Sequence, residues 1–321
     1  MRRRSANRPV LITSTVKTRG YCTDIFFKQA MGWINENKER PFFAYISTNA
    51  PHVPLVCPEG YSDMYKDQER RLAVFYGMIT NIDHNMGRLM KKLDEWDLAD
   101  NTLLIFITDN GSAARPKSFN AGMTGTKGSV NEGGTRVPAF FRLPGRINPE
   151  IDIDRLTRHV DIFPTLAAIA GAEIPSDMRL DGRNLIPLLE NPNADWKDRF
   201  TFFHKGRWSK KLDGKWVTAG VEPDEHKWRN FAVRNEKWRL VGTGNLYDVE
   251  NDPGEKTNVI EENPEIAESM LKAYEGWWKE VRPLMVNEGT PLSSKHPFIV
   301  QYEKQKQEKG IPKWEAFSQD E

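Results

Sequence analysis

The sequence predicts an α/β protein in which a mixed, mostly parallel sheet carries helices on both faces, followed by a small antiparallel α+β subdomain. Three observations carry this. Short apolar runs at 41–48, 103–108 and 137–142 alternate with helical patterns, the rhythm of a layered sheet. Between the first two runs, Leu72, Phe75, Ile79, Ile82, Met86, Leu89, Leu93 and Trp96 recur at steps of 3 and 4, which is one face of a single long helix. After about residue 195 the pattern changes to short strands with tight turns and one capped helix.

Each element follows from its residues. Thr23 or Asp24 can cap a helix running to about Lys38, with Ile25, Phe26, Ala30, Trp33 and Ile34 on its inner side. PFFAYIST (41–48) is an apolar run ended by Asn49 and prolines, and reads as a buried strand. The 72–96 pattern would also suit a coiled coil, but NTLLIFITDNG follows at once, which favours a helix packed on a sheet. LLIFIT (103–108) is the second strand and VPAFFR (137–142) the third, with Pro138 near its start. Asp161 begins a further helix, stopped by Gly171. RFTFFH, NFAVRN and KWRLV are short strands. Asn263 and Pro264 open a helix to about Val281, with Ala267, Leu271, Tyr274 and Trp278 facing inward. The organisation expected is an α/β domain over 1–195, the antiparallel subdomain over 196–284, and a polar, Lys/Glu-rich tail over 285–321 that lies on the surface.

Bulk composition narrows the function classes. The 46 basic and 45 acidic residues leave a net charge of +1, so the whole molecule has no electrostatic case for nucleic acid or an acidic membrane. Mean hydropathy is −0.64, and runs such as Leu103 to Ile107 fall far short of the roughly 18 residues of a membrane helix. Cys22 and Cys57 are too few for a disulfide framework and lack metal-site spacing. The basic start MRRRSANRPV is not followed by the apolar run of a signal peptide.

Three stretches carry candidate chemistry near strand ends, where open α/β sheets bind ligands. In STNAPHVPL (47–55), His52 sits between Pro51 and Pro54, which restrict the loop; a stiff turn with a polar His reads the same way. In FITDNG (106–111), Asp109 and Asn110 offer the oxygen donors of a hard cation, and equally the chemistry of a plain turn. NAGMTGTKGSVNEGGTRVP (120–138) places five glycines around Lys127, Glu132 and Arg136. Such a loop can bring backbone N–H groups to an anion beside a lysine charge, and Glu132 can pair with Arg136 as a brace. No nucleotide P-loop pattern is present. Together the three describe a site for a tetrahedral oxyanion ester.

TNAPHVP, LADNTLLIFITDNG, NAGMTGTKGSVNEGGTRVPAFFRLPG and HVDIFPTLAAIAG, in that order, resemble the type I sulfatases of the alkaline phosphatase superfamily. FAVRNEKWRLV followed by NLYDVENDPGEKTNV resembles their C-terminal subdomain, so the likeness runs from about residue 20 to 285. The resemblance implies the alkaline phosphatase-like fold and hydrolysis of a small-molecule or carbohydrate sulfate ester. It implies that Asp109 and Asn110 are half of a Ca²⁺ site, that Lys127 contacts the sulfate and leaving oxygen, and that His52 protonates the leaving alcohol. Asn120, Gly128 and Arg136 fall at positions that shape the loop, and His204 in FFHKGRW at the pocket rim. For a full-length form it implies a periplasmic or secreted location.

The chain also departs from the family. Sulfatases make a formylglycine from the Cys or Ser of a [CS]-x-[PA]-x-R motif, and no Cys or Ser here opens one. The family's Asp pair is absent, as is its Lys-x-His segment ahead of the His52 region. The expectation is a sulfatase that begins partway through, with a partial metal site and no nucleophile of its own. The alternatives are an inactive truncated product and a phosphoester or phosphonate hydrolase of the same superfamily.

Overall fold

The computed structural model describes residues 15–113, 118–206, 210–212, 215–217, 222–285 and 295–313. The helices are α1 (Cys22–Asn37), α2 (Arg70–Glu95), α3 (Glu132–Thr135), α4 (Ile162–Ile169), α5 (Ile186–Glu190), α6 (Pro264–Val281) and α7 (Pro297–Glu308). The strands are β1 (Leu104–Ile107), β2 (Ala139–Arg142), β3 (Thr201–His204), β4 (Lys210–Leu212), β5 (Lys215–Val217), β6 (Phe231–Arg234), β7 (Trp238–Val241) and β8 (Asn245–Asp248). The chain forms two compact units, residues 1–96 with 289–321, and residues 97–288.

In the first unit α2 is continuous and buries Leu72, Phe75, Ile82, Leu89 and Leu93 as the periodicity predicts. It packs on α1 and on the single turn Ser62–Tyr65. The buried stripe of α1 is Thr23, Phe27, Met31, Ile34 and Asn37, so the helix is turned away from the expected face. Phe26 and Trp33 are left 37% and 40% exposed. The cause is polar. Asn81 and Asn85, both buried on α2, donate to Asp24 Oδ1 at 2.8 and 2.7 Å, which fixes the rotation of α1. Asp24 therefore acts in the core of the helix pair instead of as a cap, and Tyr21 holds the N-cap position.

Segment 41–48 differs from the buried strand expected. It is extended, its alternate residues are exposed, and it joins no ladder among the described residues. Phe43 and Tyr45 are 69% and 82% exposed, and with Phe26 and Trp33 they line an open cleft of about 500 Å³. The tail contains α7, which the polar composition did not suggest. Gln305 exchanges hydrogen bonds with the Thr15 backbone at 2.6 and 2.8 Å. The basic start 1–10 and the tail segments 286–294 and 314–321 lie outside the described residues.

In the second unit β1 and β2 pair antiparallel, Leu104 opposite Arg142 and Ile107 opposite Ala139. The ladders between strands, among the described residues, are all antiparallel, where the sequence suggested a mostly parallel sheet. The subdomain sheet runs β3-β6-β7-β8 with α6 on one face. Phe231, Val233, Leu240 and Leu246 pack there against Ala267, Met270, Tyr274 and Trp278. Met270 takes the inward place expected of Leu271, which is half-buried. The Phe231 and Tyr274 rings stack at 4.2 Å, and burial pushes the Tyr274 phenol well above its usual value. Leu185, Leu188 and Trp196 form a separate cluster, and Gly171 at φ +63° ends the α4 segment as expected.

Candidate active site

The site is built on the end of β1. Thr108, Asp109 and Asn110 leave the strand, and the chain turns at Gly111. His159 holds this corner, its Nε2 donating to the Thr108 carbonyl at 2.8 Å. A carbonyl only accepts, so the ring carries its proton on Nε2. Asp161, fully buried two residues on, fixes the His159 turn. Its Oδ2 accepts from the Arg158 amide at 2.6 Å and its Oδ1 from the Arg183 amide at 2.8 Å, while the Arg199 guanidinium forks onto both oxygens. The motif HVDIFPT marked a helix start; its part in bracing the Thr108 corner was not legible because Arg199 and Thr108 are distant in sequence.

Asp109 is exposed and Asn110 half-buried. Asn110 Nδ2 donates to the Gly111 carbonyl at 3.1 Å, which leaves its Oδ1 as the acceptor for a cation. A carboxylate and an amide oxygen are hard donors of the kind Ca²⁺ takes, so the pair fits part of a shell. Among the described residues no three His, Cys, Asp or Glu side chains group closely enough to hold a metal ion. Calorimetric titration of this chain with Ca²⁺ is therefore expected to give a dissociation constant weaker than about 1 µM, since affinity follows ligand charge and number. Sub-micromolar binding would require further ligands.

The glycine loop lies against the same corner. Gly111 N–H donates to the Gly134 carbonyl at 3.1 Å, and Lys127 N–H to the Ser112 carbonyl at 2.9 Å. Gly133 N–H reaches the Thr124 carbonyl at 2.7 Å, closing the loop on itself. Asn120 Nδ2 donates to the carbonyls of Met123 and Gly125 at 2.8 and 3.1 Å. The glycines are needed for this closure. A Cβ at Gly111 would sit 1.9 Å from the Gly133 carbonyl oxygen, and one at Gly134 2.5 Å from the Ser129 carbonyl oxygen. Gly128 has open space around it but φ +84°. Gly111→Ala is thus expected to cost about 1–3 kcal/mol of stability, read as a lower unfolding midpoint, because the clash is with backbone that cannot rotate away.

Lys127 stands exposed on this frame with no side-chain partner among the described residues. Arg136 is 3.8 Å from Glu132 Oε2, a distant pairing. The close partners of Glu132 are Arg234 and Arg239, at 2.6 and 2.5 Å. Loop residues 128–131 also border a cleft of about 430 Å³ that Lys205, Asn230 and Asn245 line. His204, on β3, lies against the Trp278 ring at 5.2 Å with Nε2 donating to the His226 carbonyl at 3.1 Å. Burial pushes its imidazole below the usual value.

His52 belongs to the first unit. Its backbone N–H donates to the Asn49 carbonyl at 2.9 Å, between prolines that both follow cis peptide bonds. The ring is exposed and Nδ1 lies 2.8 Å from the Val53 carbonyl. Nδ1 is therefore the donor, and Nε2 is the nitrogen left to exchange a proton with solvent or a ligand.

A family model described as "Sulfatase" matches residues 3–172, and one described as "N-sulphoglucosamine sulphohydrolase, C-terminal" matches 126–277. The chain is 29% identical over 281 residues to a "Sulfatase" of Formosa agariphila, covering 81% of this chain and 49% of that protein. It is 29% identical over 269 residues to an N-acetylgalactosamine-6-O-sulfatase of Bacteroides thetaiotaomicron, covering 78% and 50%. Among solved structures, Ps i-CgsB in complex with k-i-k-neocarrahexaose superposes with a TM-score of 0.69 at 26% identity, covering 92% of this chain and 61% of that one. The PsFucS1 sulfatase from Pseudoalteromonas sp. has a TM-score of 0.62 at 20% identity, covering 80% and 53%, a likeness of fold alone. The chain spans about half the length of the curated relatives it matches. The architecture is the alkaline phosphatase-like α/β fold with its small antiparallel subdomain, and sulfatases generally use a metal ion and a formylglycine. With the family model covering more than half of its residues, this chain belongs to the sulfatase family.

Proposed function

We propose that this chain carries the sulfate-cradling and leaving-group side of a sulfuric ester hydrolase that releases sulfate from a sulfated carbohydrate. The observation that carries the reading is the Lys127 loop. Its backbone is closed by hydrogen bonds to the β1 corner, the corner from which Asp109 and Asn110 extend, and Lys127 on it is exposed. The carbohydrate assignment is supported by the galactosamine sulfatase relative and by the oligosaccharide bound to the structural neighbour.

The roles follow from bond chemistry. Hydrolysis breaks the bond between sulfur and the ester oxygen, and the bonding pair leaves on that oxygen. Lys127 offsets the charge as it builds there, where a preoriented cation counts most. His52, with Nδ1 engaged, would hand the proton on Nε2 to the leaving oxygen as general acid. Asp109 and Asn110 would supply two ligands to a Ca²⁺, which would supply positive charge against the sulfate. Asn120, Gly128 and Arg136 shape the loop, and His204 is proposed at the rim of the sugar pocket. A formylglycine, where the polypeptide provides one, supplies the attacking oxygen. No Cys or Ser in these 321 residues opens its precursor motif, so that group would come from polypeptide outside them.

The direct test is sulfate release. The 321-residue chain alone should hydrolyse an aryl sulfate no faster than its Lys127→Ala variant. A longer reading frame that adds the Asp pair and a Cys-x-Pro-x-Arg motif, co-expressed with the formylglycine-generating enzyme, should release sulfate. Robust Lys127-dependent turnover by the shorter chain would demand another nucleophile. Release of phosphate but not sulfate by the longer one would favour the phosphoester reading.

A further inference from the structure

We propose that Arg239 and Arg234 are positioning residues that hold the Lys127 loop in register through Glu132, and that neither is an anion-binding residue. Two arginines close to a sulfate loop would ordinarily be assigned to the sulfate. Here the Arg239 donors are already directed elsewhere, and Arg234 gives its Nε to Glu132 and its Nη1 to the Asn235 carbonyl. Glu132, buried at the start of α3, receives Arg239 Nε at 3.0 Å, Arg239 Nη2 at 2.5 Å and Arg234 Nε at 2.6 Å, all on Oε1. Arg239 Nη1 donates to the Val130 carbonyl, and Nη2 also to Thr135 Oγ1 at 3.1 Å. The Arg239 side chain is 1% exposed, so it offers no face to a ligand.

The same cluster grips the loop from a second side. Glu255 Oε2 accepts the Glu132 backbone N–H at 3.2 Å, and Thr124 Oγ1 donates to the Gly254 carbonyl at 2.6 Å. Residues 124, 130, 132 and 135 are thus tied to β6, β7 and the 254–255 turn, and Lys127 lies inside the span they fix. Burial pushes the Glu132 carboxyl up, but the guanidiniums of Arg239 and Arg234 outweigh it and hold the group below its usual value. Glu255 is pushed above its usual value by burial, against the pull of Arg239. The β6–β7 register puts Arg234 directly opposite Arg239, a like-charge pair that is unfavourable unless a counter-charge sits over both. Glu132 is that counter-charge.

The proposal rests on Lys127 handling sulfate, and the experiment separates the two ideas. Amide hydrogen exchange is measured on the full chain as wild type, Glu132→Gln, Arg239→Met and the double variant, with urea unfolding in parallel. Each single change strands a buried partner, so stability and loop protection both fall. In the double variant the Glu132–Arg239 pair is gone while Arg234 and Glu255 remain without it, so stability should recover only part of the way toward wild type. The amides of Lys127 and Gly133 should nevertheless keep exchanging at least about tenfold faster than in wild type, because the tether is still missing. Arg234→Gln, at the less buried guanidinium, is the gentler variant should the others fail to fold, and it should loosen the same amides. Recovery of loop protection together with stability in the double variant would overturn the proposal, as would full protection in Arg234→Gln. Inorganic sulfate is the second probe. It should shift the Gly125–Ser129 amide signals of wild type and not those of Lys127→Ala. If sulfate leaves wild-type signals unmoved while exchange still follows Glu132 and Arg239, the sulfate reading falls and the positioning role stands.

Discussion

Replacing Asp161 by alanine should destabilise the chain by about 3–5 kcal/mol, the cost of leaving a buried charge without its partner. The carboxylate is fully buried and the Arg199 side chain is only 7% exposed. Removing Asp161 strands the Arg199 guanidinium and also orphans the amides of Arg158 and Arg183. Surface pairs such as Lys91–Glu95 make a useful control, since solvent screens them and their loss should barely move the unfolding midpoint. The effect should also reach β1. His159 sits between Arg158 and Asp161 in chain order and donates to the Thr108 carbonyl, so loosening its turn frees the corner that carries Asp109. Denaturant midpoints for the variant and the control decide the matter. An Asp161→Ala midpoint close to wild type would mean that water or a nearby group replaces the carboxylate.

What the sequence made legible follows from where the governing interactions lie. The long α2 helix and the β6, β7 and α6 segments were readable because their periodic apolar faces are local patterns. The rotation of α1 was not, because it is set by Asp24 bonding to Asn81 and Asn85 some sixty residues away. The strand expected at 41–48 was read from apolar content; its residues are extended, but a ladder needs a partner strand that local pattern cannot specify. The loop motif was legible as a candidate site from its Lys127 and glycines. The true partners of Glu132 were hidden 102 and 107 positions away. One signal was available: FAVRNEKWRLV carries two arginines in register across a tight turn of an otherwise apolar hairpin, which asks for a buried acid.

In a polypeptide that includes the attacking group, His52→Ala and Lys127→Ala should fail differently, and the difference is the sharpest test of the assigned roles. A general acid matters in proportion to how badly the leaving oxygen needs a proton. A nitrophenolate leaves readily as the anion, whereas the alkoxide of a sugar does not. His52→Ala should therefore cut kcat/KM on a sugar sulfate by about 10²–10⁴, the usual worth of general acid catalysis, and change nitrophenyl sulfate turnover by less than about tenfold. In the proposed role Lys127 would act on charge that accumulates with either leaving group. Its replacement by alanine should slow both substrates by about 10²–10³, the range for losing one preoriented electrostatic contact. Equal losses on the two substrates in His52→Ala would remove the histidine from the acid role. An unchanged kcat/KM in Lys127→Ala would leave the glycine loop as a structural closure of the β1 corner and nothing more.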